Sequence, residues 1–232
     1  MKRQEYKEFS MSLVDIAEDI YTGKGCVQMA VTLAKRLLVD SIWKAANVEG
    51  LGTTYTDTEA ILENLPVTTR RDEVLFILNM RDAWRFLLDN LEYNNCWMLL
   101  REFNNIVGRD LIPGCGTIRR HEVSIGGTAW KPEIPIEADI YDAIKRLNNI
   151  EEDVDRALSY FCYITRAQLF VDGNKRVAQL MANKVLIESG IGVLSIPVSE
   201  LTVFKELLVE FYETANTTEL KDFLRYKCIQ YV

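Results

Sequence analysis

Paired cysteines, histidines, signal-like apolar cores and internal repeats are what this sequence is short of. Its five cysteines, Cys26, Cys96, Cys115, Cys162 and Cys228, are odd in number and widely scattered, with no Cys-x-x-Cys pair. That spacing argues against a zinc site or a disulfide framework and leads us to expect a reducing, cytoplasmic setting. The single histidine, His121, has charged neighbours and reads as a solvent-facing turn residue rather than a catalytic one. The start, Met1-Lys2-Arg3-Gln4-Glu5, leads into no apolar signal core, and no segment is long enough to span a bilayer. Positive charge is also in deficit. A net charge of −7 argues against general affinity for nucleic acid or anionic lipid, while leaving room for a local basic pocket. Tyr21-Thr22-Gly23-Lys24-Gly25 lacks the spacing of a phosphate loop and the strand that would precede one.

What is present is apolar residues at helical spacing. Hydrophobic content of 48% with 26% charged residues fits an ordinary globular chain. Helices are expected at about Tyr6–Tyr21, Val27–Asn47, Asp57–Asn64, Thr69–Leu91, Asn95–Val107, Glu137–Leu147, Glu151–Leu169, Asn174–Ser189, Pro197–Thr214 and Thr218–Tyr231. Met80, Trp84, Trp97, Met98 and Phe103 fall at helical intervals and read as core or interface. The fold class is therefore all-α, with residues 1–232 as a single domain and residues 197–232 as its C-terminal helices. One segment, 112–135, breaks the pattern with Pro113, Pro132, Pro135 and four glycines. Within it, Thr117–Arg120 and Val123–Ile125 read as two short strands turning near His121-Glu122. Such a hairpin must rest on the helices, and its edge could accept an extended peptide.

Residues 168–176, Gln-Leu-Phe-Val-Asp-Gly-Asn-Lys-Arg, lie between two helical patterns. Asp172-Gly173 breaks the first helix, and Asn174, Lys175 and Arg176 open the next, whose first N–H groups lack intrahelical partners. A carboxylate, a glycine turn, two cations and free N–H groups suit a polyphosphate, with Asp172 able to hold Mg²⁺ and Arg176 able to fork onto phosphate. The same residues also suit a plain helix connection with an Asp–Arg surface pair. Glu49, in the last turn of its helix before Gly50, is a carboxylate that the helix dipole disfavours unless a cation faces it.

The stretch resembles the active-site motif of Fic proteins, His-x-Phe-x-Asp/Glu-Gly-Asn-Gly/Lys-Arg. Phe170, Asp172, Gly173, Asn174, Lys175 and Arg176 match, while the motif's His falls on Gln168 and its second Arg on Gln179. Residues 112–135 are similar to the Fic flap. Ala45–Gly50 resembles the Ser/Thr-x-x-x-Glu-Gly/Asn inhibitory motif, with Ala45 in the Ser/Thr place, so residues 27–50 read as an inhibitory helix and its end.

The resemblance implies a Fic fold, a helical core with a small β-hairpin flap. It implies ATP and Mg²⁺ as cofactors, with transfer of AMP from ATP to a target Ser, Thr or Tyr hydroxyl. Asp172 would hold the metal. Gly173, Asn174, Lys175 and Arg176 would bind the nucleotide, Arg176 would stabilise phosphate charge and Phe170 would anchor the loop. Ile118, Arg119, Val123 and Ile125 would dock a protein target on the flap, and Glu49 would regulate, pairing with Arg176 or weakly with Gln179. A homo-oligomer is compatible with this reading. Gln168 stands where the catalytic base belongs, and a carboxamide orients a hydroxyl but takes no proton near neutral pH. Ordinary AMP transfer is therefore expected to be impaired. Lys175 resembles the lysine of the Doc branch, which makes phosphoryl transfer the alternative chemistry, and a non-catalytic scaffold or regulator the alternative role.

Overall fold

The computed structural model describes residues 24–232. The chain runs α1 (Lys24–Arg36), α2 (Leu38–Val48), α3 (Tyr55–Leu62), α4 (Arg71–Asp89) and α5 (Trp97–Gly108), followed by a long irregular segment. It continues as α6 (Glu137–Asn148), α7 (Asp153–Ala167), α8 (Asn174–Glu188) and β1 (Gly192–Leu194). After a short 3₁₀ turn come α9 (Leu201–Thr214), α10 (Thr218–Phe223), a π turn (Leu224–Cys228) and β2 (Ile229–Tyr231). The fold is thus mostly helical, as its apolar periodicity requires, with a small two-stranded antiparallel sheet among the described residues. The expected helix at Tyr6–Tyr21 lies outside the described residues.

Helix α8 is the axis. Every residue from Val177 to Ile187 is buried, so the helix has no solvent face and must be surrounded. Helix α7 packs along it, and α1, α4, α5 and β1 complete the enclosure. Two polar residues inside this shell are paired within it. Asn183 donates to the Leu194 carbonyl (2.8 Å) and accepts from the Leu194 N–H (2.7 Å), which seats β1 on the axis. Lys184 donates to the Tyr93 carbonyl (2.6 Å) and to Glu188 (2.5 Å). Apolar residues from Ala30 to Cys228 form one continuous core.

Three expectations are corrected. The helix expected over Val27–Asn47 is broken at Leu37, where ψ opens to 3° while the N–H still reaches the Leu33 carbonyl (2.9 Å). The last helix does not reach Tyr231. It ends at Phe223, and Ile229–Tyr231 pairs with Gly192–Leu194 instead. A Cβ on residue 192 would lie 2.2 Å from the Gln230 carbonyl oxygen, so this close pairing depends on glycine. The third correction concerns residues 112–135, which contain no strand pair. The Arg119 N–H bonds to the Leu169 carbonyl (2.9 Å), so the first arm of the flap lies against the 168–176 turn, not against its own second arm. The segment that follows the second arm docks on α9. There Thr128 donates to Glu213 (3.1 Å), and Trp130 stacks on Tyr212 with Arg166 over its ring.

The start of α7 carries a pH-dependent cap. The Glu152 carboxylate accepts from the Val154 N–H (3.2 Å), the Asp155 N–H (2.5 Å) and Arg225 (2.8 Å). Burial pushes this carboxyl up, but the Arg225 bond and the two N–H groups outweigh it and hold the pKa below the usual 4.5. A depressed folded-state pKa gives stability that is present above the unfolded value and lost as the pH falls through the folded one. Glu152→Ala is therefore expected to cost about 1 kcal/mol at neutral pH. Urea denaturation should show that cost shrinking as the pH falls below 4.5.

Candidate functional site

Helix α7 stops at Ala167 because Gln168 takes a left-handed conformation (φ 47°, ψ 59°). Gly173 (φ 82°) then turns the chain into α8. The positive φ favours glycine there, and a Cβ would also press on the Asn104 amide nitrogen at 3.0 Å. Between these two points the turn is held from below. Phe170 is buried and stacks on Trp97, with ring centroids 5.4 Å apart. Asn174 is also buried and clips the loop closed, accepting from the Phe170 N–H (3.0 Å) and donating to the Phe170 carbonyl (2.8 Å). Its amide also donates to Gln168 Oε1 (2.9 Å), and Gln168 Nε2 donates to the Thr165 carbonyl (2.6 Å). The carboxamide at the family's histidine position is thus engaged at both ends.

The turn's upper side faces outward. The Asp172 side chain is 63% exposed, with Oδ1 accepting from the Gly173 N–H (2.6 Å) and Oδ2 facing Arg176 Nη2 (3.1 Å). The N–H groups of Asn174, Lys175 and Arg176 form the first turn of α8, where the helix dipole favours an anion. Arg176 is almost wholly buried. It donates to the Val107 carbonyl (3.1 Å), lies over Phe76, and keeps Nε buried with no hydrogen-bond acceptor among the described residues. Glu49, the C-cap of α2, reaches across to this start of α8. Its carboxylate lies 3.3 Å from Lys175 Nζ and 4.0 Å from Arg176 Nε. The cation that a carboxylate at a helix C-terminus requires is therefore chiefly Lys175. Gln179 is buried and turned back to the Lys175 carbonyl (3.5 Å). The pKa of Tyr212 is raised, by burial first and by the negative charge of Glu49 second.

The flap residues separate into two kinds. Ile118, Val123 and Ile125 are half-buried. Arg119 is 1% exposed, and its guanidinium donates to the carbonyls of Gln168 (2.8 Å), His121 (2.5 Å) and Glu133 (2.6 Å). Expected as a target contact, Arg119 is instead an internal staple, because its guanidinium is buried and held by three backbone carbonyl oxygens.

Two residues that sequence reasoning passed over hold the site together. Asn104 on α5 donates to the Asp172 carbonyl (2.9 Å) and accepts from the Gly116 N–H (2.8 Å), tying the turn to the root of the flap. Its signal was a polar residue on a face otherwise built from Phe103, Leu100 and Val107. Trp97, read as core, supports Phe170 and donates to Glu137 (3.0 Å). No group of three or more His, Cys, Asp or Glu side chains able to hold a metal occurs among the described residues.

Residues 98–186 match the Fic/DOC family. The protein adenylyltransferases fic-1 of Caenorhabditis briggsae and Caenorhabditis elegans are each 27% identical over 206 residues, 80% of this chain. The chain spans 38% of the length of those relatives. Fic-1 (residues 134–508) from C. elegans superposes with a TM-score of 0.71 at 21% identity, covering 94% of this chain and 70% of that one. A Fic domain-containing signaling protein from Bacteroides thetaiotaomicron gives 0.70 at 18% identity, covering 84% and 82%. The sequence match covers the helices that carry the turn, and the structural match covers nearly all of the chain: residues 98–186 are similar to the Fic/DOC family, and the chain has the Fic fold.

Proposed function

We propose that the start of α8 binds a nucleoside triphosphate with Mg²⁺, and that Gln168 leaves the protein poor at transferring AMP to a hydroxyl. The observation that carries this reading is Arg176, an almost fully buried cation with an unsatisfied Nε beside a first helical turn of free N–H groups. Asp172, exposed on the same turn, suits a magnesium ion that keeps most of its ligands from phosphate and water, and one carboxylate is enough for that role. Bound there, the metal would neutralise phosphate charge. Phosphate oxygens would take the N–H groups of residues 174–176 and the cations of Lys175 and Arg176. In AMP transfer the target oxygen bonds to the α-phosphorus, the bond to the bridging oxygen breaks, and pyrophosphate leaves. The hydroxyl proton needs an acceptor, and the Gln168 carboxamide, tied to Thr165 and Asn174, supplies none.

Glu49 supports an autoinhibitory component, because it already occupies Lys175 and approaches Arg176. Phosphate must compete with that carboxylate for the same cations. The free state of all five cysteines supports a cytoplasmic location, and no described helix is long and apolar enough to cross a membrane. Titration calorimetry with ATP and Mg²⁺ tests the reading. Binding is expected in the wild type, weakened by Asp172→Ala, and strengthened roughly fivefold by Glu49→Gln, which removes a partly exposed ion pair worth up to about 1 kcal/mol. Absence of heat in every variant would leave a scaffold that binds a partner protein. If transfer is detected, the mass added to the target separates AMP from the phosphoryl group that Lys175 suggests.

A further inference from the structure

A cavity of about 730 Å³ lies between α6, one face of α7, the turn from α9 to α10 and the segment 130–136. Neither Glu49 nor any residue from 172 to 176 lines it, so it is separate from the nucleotide site proposed above. We propose that this pit binds a medium-chain fatty acid, with the carboxylate at Arg146 and the acyl chain along the floor.

The floor selects the chain. Ile140, Ala143, Cys162, Leu169 and Phe211 are buried in the fold yet border the cavity, so an occupant meets apolar groups below. At its edge Ile134 and Ile136 stand 46% and 62% exposed, apolar surface that an acyl chain would cover. The volume falls within the roughly 300–1,000 Å³ usual for small-molecule sites. Its length suits a chain rather than a compact ring. From Asp139 to Arg146 the lining of α6 runs two turns, about 10 Å, which matches an extended chain of about eight to ten carbons.

The ends select the acid and its direction. Tyr160 donates to Asn148 (2.7 Å), so the end of α6 lies against the first half of α7 and the two helices run antiparallel. Arg146 therefore shares one end of the pit with Ser159 and Lys221, whose Nζ donates to Ser159 Oγ (2.7 Å) and to Asp155 (2.8 Å). Arg146 is exposed and has no carboxylate partner among the described residues, which leaves its fork for a carboxylate. Burial pushes the Tyr163 phenol up to about 12, against the pull of Arg146, so it remains a neutral hydroxyl donor in the lining. At the other end Lys131 and Arg166 offset Glu133 and Asp139. The excess of positive charge is thus at the Arg146 end, and the chain runs from there toward Leu169.

Titration calorimetry with decanoate, decan-1-ol and butyrate, each below its micelle-forming concentration, tests this. Decanoate is expected to occupy one site per chain. It should bind roughly tenfold more tightly than the alcohol, as one or two partly exposed ion pairs allow. It should bind at least about a hundredfold more tightly than butyrate, because each buried CH₂ strengthens binding about fourfold. Arg146→Glu, at an exposed position, should abolish the preference for acid over alcohol. Ala143→Phe, which fills the floor, should abolish binding of both, with a thermal melt to show that the variant is folded. The butyrate comparison tests the floor without any substitution. None of these variants alters a residue of the nucleotide site, so the outcome is read independently of ATP binding. The proposal is overturned by equal affinity for acid and alcohol, by no binding of decanoate, by uptake of several molecules per chain, or by an Arg146→Glu protein that keeps the preference.

Discussion

Gln168→His, combined with Glu49→Gly, is expected to raise AMP transfer or auto-modification by about 10²–10⁴-fold, the usual contribution of a positioned general base. The backbone accommodates the change. Residue 168 sits at φ 47° and ψ 59°, a left-handed conformation that histidine tolerates better than most side chains. The neighbouring acceptor is also in place. Where Gln168 Nε2 now donates to the Thr165 carbonyl, one ring nitrogen of a neutral imidazole can do the same, leaving the other with a lone pair for the hydroxyl proton. Glu49→Gly removes the carboxylate that occupies Lys175 and crowds Arg176. The check is incubation with ATP labelled at the α-phosphate, with and without candidate targets. Robust transfer by the wild type, undiminished in Gln168→Ala, would refute the assignment of Gln168 as the limiting residue. So would a silent double variant that still binds ATP.

The second large effect is structural. Arg119→Ala should cost about 3 kcal/mol, because three carbonyl oxygens lose a shared donor at once. For a chain of this size that corresponds to a Tm lowered by roughly 6–12 °C. Arg119→Lys is expected to recover little, since a single ammonium cannot reproduce a planar fork spanning the carbonyls of Gln168, His121 and Glu133. The adjacent Arg120→Ala serves as the control. Arg120 is exposed and has no partner in the fold among the described residues, so its melting temperature should stay within about 1 °C of the wild type. Thermal melts of the three variants, with limited proteolysis across residues 117–133, decide the matter. Equal melting of Arg119→Ala and Arg120→Ala would remove the staple from the account. Because Arg119 also fixes the carbonyl of Gln168, its loss should loosen the turn and weaken nucleotide binding in the same variant.

The two predictions differ in how far they could be foreseen. The nine residues 168–176 carry much of their own instruction: Gly173 turns the chain and the residues after it open α8, although the preceding helix has already stopped at Ala167, where Gln168 rather than Asp172-Gly173 ends it. Their chemistry is local, so the motif could be read directly. Arg119 could not be read in that way. Its partners are 49, 2 and 14 residues away, and nothing in a strand-like Thr-Ile-Arg-Arg says which arginine turns inward. The same limit hid Asn104, 68 residues from the Asp172 carbonyl that it holds. It also concealed the loss of the flap's strand pairing, because Leu169 competes for the Arg119 N–H from outside the segment.

The sequence by itself determined the helical class, the turn into α8, the absence of a proton acceptor at residue 168 and the need for a cation opposite Glu49. Each of these depends on side-chain chemistry or on spacing within a few turns of helix. Only the tertiary structure decided that Lys175 is the nearer cation, that Arg119 is a staple and that Ile229–Tyr231 is a strand. Those outcomes are contests between partners brought together by the packing around α8, where burial leaves a charge or an N–H one acceptor among several that the chain offers.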